Sequence, residues 1–271
     1  MLKKQKMKKL KIGAFSLIIL YLMIGASLYF FQEKIIFRPS ILPQNYSYNF
    51  SSEFEELFLK SEDDAIINAL HFKAENPKGV IVYFHGNMGD LSRWGKITEF
   101  FVEKNYDVFV MDYRTYGKST GKLSEQALYD DAQMCYDYVV KRYNELEITI
   151  YGRSLGTGIA TFLASKNNPK QLILETPYYS LTDVAKRRFL MFPTNKLLKY
   201  NFPSYKFVQN VRCPISIFHG TNDKVVPVAS GEKLFNCIKQ KEKIFYTIEK
   251  GEHNNLIEFE TYQKQLKKIL E

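Results

Sequence analysis

A chain of 271 residues, 45% of them hydrophobic, is long enough to bury the core of one α/β domain with a terminal extension, which excludes a disordered scaffold. The formal charge of +9 invites nucleic acid as a partner, but six lysines (Lys3, Lys4, Lys6, Lys8, Lys9, Lys11) precede the first apolar run. Without them the 38 Lys and Arg come within three of the 29 Asp and Glu, leaving no general phosphate-binding face, so no nucleic-acid partner is expected.

The first element is Ile12–Phe31, an uncharged apolar run. As a helix at 1.5 Å per residue it would be about 30 Å long, which matches the hydrocarbon thickness of a bilayer. Gly25-Ala26-Ser27 mimics a signal-cleavage site, but the run continues past it through Leu28–Phe31, which favours an uncleaved anchor. The lysines place the amino terminus in the cytoplasm and the rest of the chain outside it. Residues 32–52, with Pro39 and Pro43, read as a connector.

Glu53–Lys60 and Ala65–Phe72 flank the polar turn Glu62-Asp63-Asp64 and predict an antiparallel hairpin. Short Val/Ile/Phe runs follow at 79–84, 106–112, 147–151, 171–175, 214–218 and 243–248, with helical stretches at 91–103, 125–143, 155–165, 229–238 and 256–270. Strands alternating with helices predict an α/β fold with a doubly wound, mostly parallel sheet and its ligand site at the carboxyl ends of the strands. The three cysteines, Cys135, Cys213 and Cys237, lack the spacing of a zinc site or the density of a disulfide scaffold. They read as buried or incidental thiols, with one disulfide left open in an oxidising compartment.

Gly152-Arg153-Ser154-Leu155-Gly156 sits between a predicted strand and a predicted helix, the context in which G-x-S-x-G raises a serine hydroxyl above a sheet. A serine needs a base, and the base needs a carboxylate to hold its tautomer. Of four histidines, His253 lies in the last loop before the final helix, where the order Ser, acid, His puts the base. His71 falls in the hairpin, His85 in the turn after the 79–84 strand, and His219 at a strand end. Asp223, in the loop after the 214–218 strand, is the expected acid, with Glu175 as its competitor. Asp112 is expected to organise a loop. Backbone N–H groups of Leu155 and of Asn87, or next to it Met88, are the expected oxyanion donors. No His/Asp/Glu cluster has ligand spacing, so no metal is expected.

Together EKIIFRP, YFHGNMGD, YRTYGKSTG, YGRSLGTGIA, HGTNDKVVP and GEHNNL resemble the α/β-hydrolase superfamily, from about Glu33 to the carboxy terminus. More narrowly they resemble its amino-terminally anchored branch, which includes fungal and bacterial proteins called lipases or peptidases and animal protein depalmitoylases. The resemblance implies a Ser154–Asp223–His253 triad without a cofactor, working through an acyl-enzyme. The chain then divides into a basic tail (1–11), a transmembrane anchor (12–31), a connector (32–52) and a hydrolase domain (53–271) with a short cap at about 177–212. Met88 departs from the commoner Ala after HGN and is expected to narrow the acyl pocket. The cap joins Lys186-Arg187-Arg188 to FLMFP, a pattern that suits head groups and acyl chains but also an ordinary amphipathic helix. The expected activity is cleavage of an ester or thioester of a lipid or lipidated protein at the bilayer. A peptidase or amidase and a non-catalytic tethered binding domain are the alternatives.

Overall fold

The computed structural model describes residues 2–271; Met1, the first residue of the basic tail, lies outside the described residues. The chain opens with α1, Leu2–Ile36. With no helix breaker between the apolar run and Ile36, the helix continues through Gln32–Ile36, residues read from the sequence as the start of the connector. It is long and apolar enough to cross a membrane. After it, Arg38–Pro39 pairs in parallel with Met88–Gly89.

Eight strands form the main sheet: β1 (Phe54–Lys60), β2 (Ile66–Phe72), β3 (Val80–Phe84), β4 (Asp107–Met111), β5 (Ile148–Arg153), β6 (Gln171–Glu175), β7 (Ile215–Gly220) and β8 (Lys243–Ile248). Their spatial order is β8-β7-β6-β5-β3-β4-β2-β1. The β1–β2 hairpin and the β2–β4 pair are antiparallel, and every other pairing is parallel.

Side chains alternate across the sheet with the period of two that a strand imposes. Val80, Val82, Phe84, Ile150, Leu172 and Leu174 share a core with α3 (Glu125–Val140) and α4 (Gly156–Lys166). Ile81, Tyr83, Tyr151, Ile173 and Phe218 face the other way, onto α2 (Leu91–Val102) and the carboxy-terminal Glu260–Leu270 helix. Both faces are therefore covered, which is why these strands read as unbroken apolar runs. The start of α3 is sharp because Ser124 accepts the Ala127 N–H at 3.0 Å.

The segment between β6 and β7 carries α5 (Leu181–Arg188) and two single turns of helix, Thr194–Leu197 and Ser204–Phe207. It lies over the carboxyl ends of the strands and against the last turns of α1. Gln32 is the seam between them: its amide donates to the Leu197 carbonyl at 3.1 Å and accepts the Lys199 N–H at 2.7 Å.

Candidate active site

β5 ends at Arg153 and α4 starts at Gly156, leaving two residues for the reversal. Ser154 is held at φ +51°, a left-handed backbone that costs a non-glycine residue about 1–3 kcal/mol. Its N–H donates to the Glu175 carbonyl at 2.9 Å, and its carbonyl accepts the Thr157 N–H at 3.0 Å and the Thr157 hydroxyl at 2.7 Å. Both flanking glycines are demanded by space. A Cβ on Gly156 would lie 2.1 Å from the Phe84 carbonyl oxygen, and one on Gly152 would lie 2.6 Å from Ala160 Cβ.

The structure brings Ser154, His253 and Asp223 together. Ser154 Oγ donates to His253 Nε2 at 2.8 Å, and His253 Nδ1 donates to Asp223 Oδ2 at 2.7 Å. Asp223 Oδ1 accepts two further N–H groups, from Val225 and Val226, both at 2.8 Å. Burial pushes the Asp223 carboxyl up, but hydrogen bonding from His219 and His253, the charge of His253 and the Val226 N–H outweigh it and hold the group below the usual carboxylate range. His219 is thus more than packing at a strand end. Its Nε2 donates to the Val226 carbonyl at 2.8 Å and lies 3.4 Å from Asp223 Oδ2.

Glu175, the competing acid, is turned elsewhere. Its carboxylate meets Arg153 Nε at 3.1 Å, the Tyr262 hydroxyl at 3.1 Å and the Tyr151 hydroxyl, all on the other side of the nucleophile turn. Sequence reasoning passed over Arg153. Its guanidinium also donates to the Asn254 carbonyl at 3.0 Å, tying the residue before Ser154 to the residue after His253. Position x of G-x-S-x-G tolerates many side chains, so nothing in the motif signalled this role.

Asn87 and Leu155 line the same cavity as Ser154. Neither main-chain N–H has a protein acceptor among the described residues, an uncommon state for backbone donors away from the surface. The Asn87 carbonyl accepts the Arg38 N–H at 2.8 Å and the Tyr116 hydroxyl at 2.7 Å. Tyr178 holds the Leu155 carbonyl at 2.9 Å. The EKIIFRP and YRTYG segments therefore share one task, pinning the turn after β3. His85 contributes its backbone there while its ring stacks on Trp94, centroids 5.3 Å apart. Asp112 accepts the Leu91 N–H at 3.1 Å and so fixes the start of α2. His71 is fully buried behind the sheet, bonded to Tyr143 at 2.9 Å, far from the strand ends that carry Ser154.

The cavity above Ser154 has a volume of about 170 Å³, and its walls are mainly aliphatic and aromatic. Leu181, Val184, Phe189 and Phe192 come from the cap, and Leu28, Ile35 and Ile36 from α1. Met88 corrects an expectation. Its side chain is 41% exposed and is not part of the cavity wall, because the Met88–Gly89 pairing with Arg38–Pro39 turns it outward. All three cysteines are free, Cys135 and Cys213 being buried.

A family model described as serine aminopeptidase, S33, matches residues 75–210. An uncharacterized Acanthamoeba polyphaga mimivirus protein, R595, is 32% identical over 73% of this chain and 75% of its own length. Protein bem46 of Schizosaccharomyces pombe is 29% identical over 84% and 82%. The lysophosphatidylserine lipase ABHD12 of Danio rerio is 30% identical over 64% of this chain and 50% of that protein. In three dimensions the chain superposes on the Pyrococcus furiosus esterase Pf2001 with a TM-score of 0.68, at 18% identity, over 86% of this chain and 98% of the esterase. With its mostly parallel sheet, its serine at the turn after β5 and its apolar amino-terminal helix, the chain belongs to the α/β-hydrolases of the S33 family.

Proposed function

We propose that the protein is a membrane-anchored serine hydrolase that cleaves the ester or thioester bond of an acyl substrate. The observation that carries this reading is the run of hydrogen bonds Ser154–His253–Asp223, 2.8 and 2.7 Å long, at the floor of an apolar cavity. Ser154 Oγ attacks the acyl carbonyl carbon while His253 Nε2 takes its proton, and the Asp223 carboxylate stabilises the imidazolium. The N–H groups of Asn87 and Leu155 receive the oxyanion, Leu155 aided by the positive end of α4. Collapse expels the alcohol or thiol, which takes the proton from His253. Water, deprotonated by the same imidazole, then frees the acid from Ser154.

The walls favour an acyl group over a peptide. The Gln32 amide and the Tyr178 hydroxyl are already engaged with the protein itself, leaving few groups to bond a chain of amides. No carboxylate lines the cavity among the described residues, and its one charged lining residue is Arg188. The ammonium of a peptide amino terminus would find no counter-charge. A lipid ester agrees with the activity in the name of the Danio rerio relative. α1 serves as the transmembrane anchor, with its lysines in the cytoplasm and the catalytic domain outside.

The test is labelling of the purified full chain by a fluorophosphonate, with Ser154→Ala and His253→Ala alongside. Strong labelling lost in both variants, with hydrolysis of acyl esters, is the expected result. Folded wild-type protein that takes no label would sink the enzyme reading, and turnover of aminoacyl anilides in preference to esters would replace it by a peptidase.

A further inference from the structure

Residues Leu28, Gln32, Ile35 and Ile36 of α1 lie one, two and two-plus turns apart on a single face, and that face closes one side of the cavity above Ser154. Leu28 belongs to the uncharged run Ile12–Phe31. The wall of the cavity is therefore partly built from the helix that is long and apolar enough to cross a membrane.

The cap follows α1 well into this apolar run. The Tyr21 hydroxyl donates to the Met191 carbonyl at 2.8 Å, and its ring stacks on Phe192 with centroids 4.8 Å apart. Lower down, Gln32 joins Leu197 and Lys199, and the Tyr200 hydroxyl donates to Glu33 at 2.8 Å. Tyr21 and Gln32 are separated by about 16 Å along a helix rising 1.5 Å per residue. The cap edge is thus level with roughly half the thickness of a hydrocarbon layer of about 30 Å. At that edge Leu190 is 81% and Met191 79% exposed. Two adjacent apolar side chains standing free are costly in water and cost nothing in lipid. Lys196 and Lys199, also exposed, lie on the side of the cap nearer Gln32, where head groups would be.

We infer that α1 is a working wall of the acyl site, and that the substrate is a long-chain lipid ester that enters sideways from the bilayer between α1 and the cap. This rests on the hydrolase reading and adds to it the source and class of substrate. The acyl chain would exchange contact with lipid tails for contact with Leu28, Ile35, Val184 and Phe192 without crossing water. Its carbonyl would reach Ser154 while the head group stayed at the bilayer surface. The helix is then both tether and binding surface.

The test uses the full chain in phosphatidylcholine vesicles with two fluorogenic esters, a water-soluble butyrate and a palmitate dissolved in the bilayer. Leu28→Trp and Ile35→Trp fill the wall from α1. Each is expected to lower the palmitate-to-butyrate turnover ratio by about tenfold or more, the scale on which pocket shape discriminates acyl chains. Leu190→Ser with Met191→Ser is expected to lower palmitate turnover in vesicles more than in detergent micelles, where the substrate no longer arrives through a bilayer. Fluorophosphonate labelling of each variant reports that Ser154 is still assembled. Ratios unchanged in labelled Trp variants would overturn the wall, as would wild-type protein that cleaves butyrate but never vesicle palmitate. Wild-type protein that neither labels nor cleaves either ester would instead remove the hydrolase reading beneath it.

Discussion

The side-chain amide of Asn87 donates to the carbonyl of Ile36 at 2.8 Å, so the last turn of the apolar helix is fastened to the turn that supplies one of the two proposed oxyanion N–H groups. The bond also satisfies one of the carbonyls that a helix end leaves open. Asn87→Ala keeps the main-chain N–H and removes only this tie. It is expected to cost about 1 kcal/mol in stability and to lower kcat more than it raises KM. Steady-state kinetics on a soluble ester, with thermal unfolding in detergent, checks both.

Asp223 and Glu175 compete for the role of acid in the sequence, and their settings separate them. Asp223→Asn is expected to lower turnover by about 10⁴-fold, since the amide favours the wrong tautomer of His253. Glu175→Gln is expected to leave turnover within about tenfold of wild type and to act mainly on stability. The reverse ranking in ester hydrolysis would exchange the two assignments.

Arg153, bonded to Glu175 and to the Asn254 carbonyl, is expected to position the site rather than to react. Arg153→Met breaks its bonds to Glu175 and to the Asn254 carbonyl and leaves a buried carboxylate uncompensated. The expected loss is about 3–5 kcal/mol, part of it recovered in the double variant with Glu175→Gln, which removes the stranded charge. Unfolding midpoints of the four proteins complete the cycle.

Gly156→Ala places a methyl 2.1 Å from the Phe84 carbonyl oxygen, at the buried carboxyl end of β3, where the backbone has little room to retreat. A destabilisation of about 3 kcal/mol or more, with loss of fluorophosphonate labelling, is expected. A folded, labelled variant would contradict the packing of α4 against β3.

Burial, reinforced by the neighbouring Lys73 charge, lowers the pKa of His71 to about 4. The folded state then refuses a proton that the unfolded chain accepts below its ordinary value near 6.5. The stability contributed by neutral His71 is complete above that value and is lost as pH falls from about 6.5 toward 4, to the extent of roughly 3 kcal/mol. His71→Phe should flatten this part of the stability profile, measured by urea unfolding in detergent at pH 7.5 and pH 4.5. An unchanged slope would mean that His71 protonates alike in both states.

The layered fold was legible because each of its signals is local. Unbroken apolar runs such as Val80–Phe84 and Gln171–Glu175 mark strands covered on both faces, and the alternation with helices excludes most other topologies. That Ser154, Asp223 and His253 would come together was legible for a related reason: each sits in a loop that follows a parallel strand, and such loops gather at one edge of the sheet. Met88 misled because the position was read as a pocket wall by analogy, whereas its direction depends on a pairing with Arg38–Pro39, fifty residues upstream.

The sequence by itself determined the sheet, the nucleophile turn, the order of the candidate triad and an apolar segment of bilayer length, since periodicity, glycine spacing and hydropathy are written in neighbouring residues. Only the tertiary structure decided that Arg153 reaches Asn254, that His219 stands behind Asp223, and that Leu28 and Ile35 share a cavity with Ser154. Those contacts join segments between 4 and more than 100 positions apart, and an apolar helix face carries no mark of whether it will stand open or line a cavity. The path of the cap across the strand ends settles that question, through bonds such as Gln32 to Leu197 that no local pattern encodes.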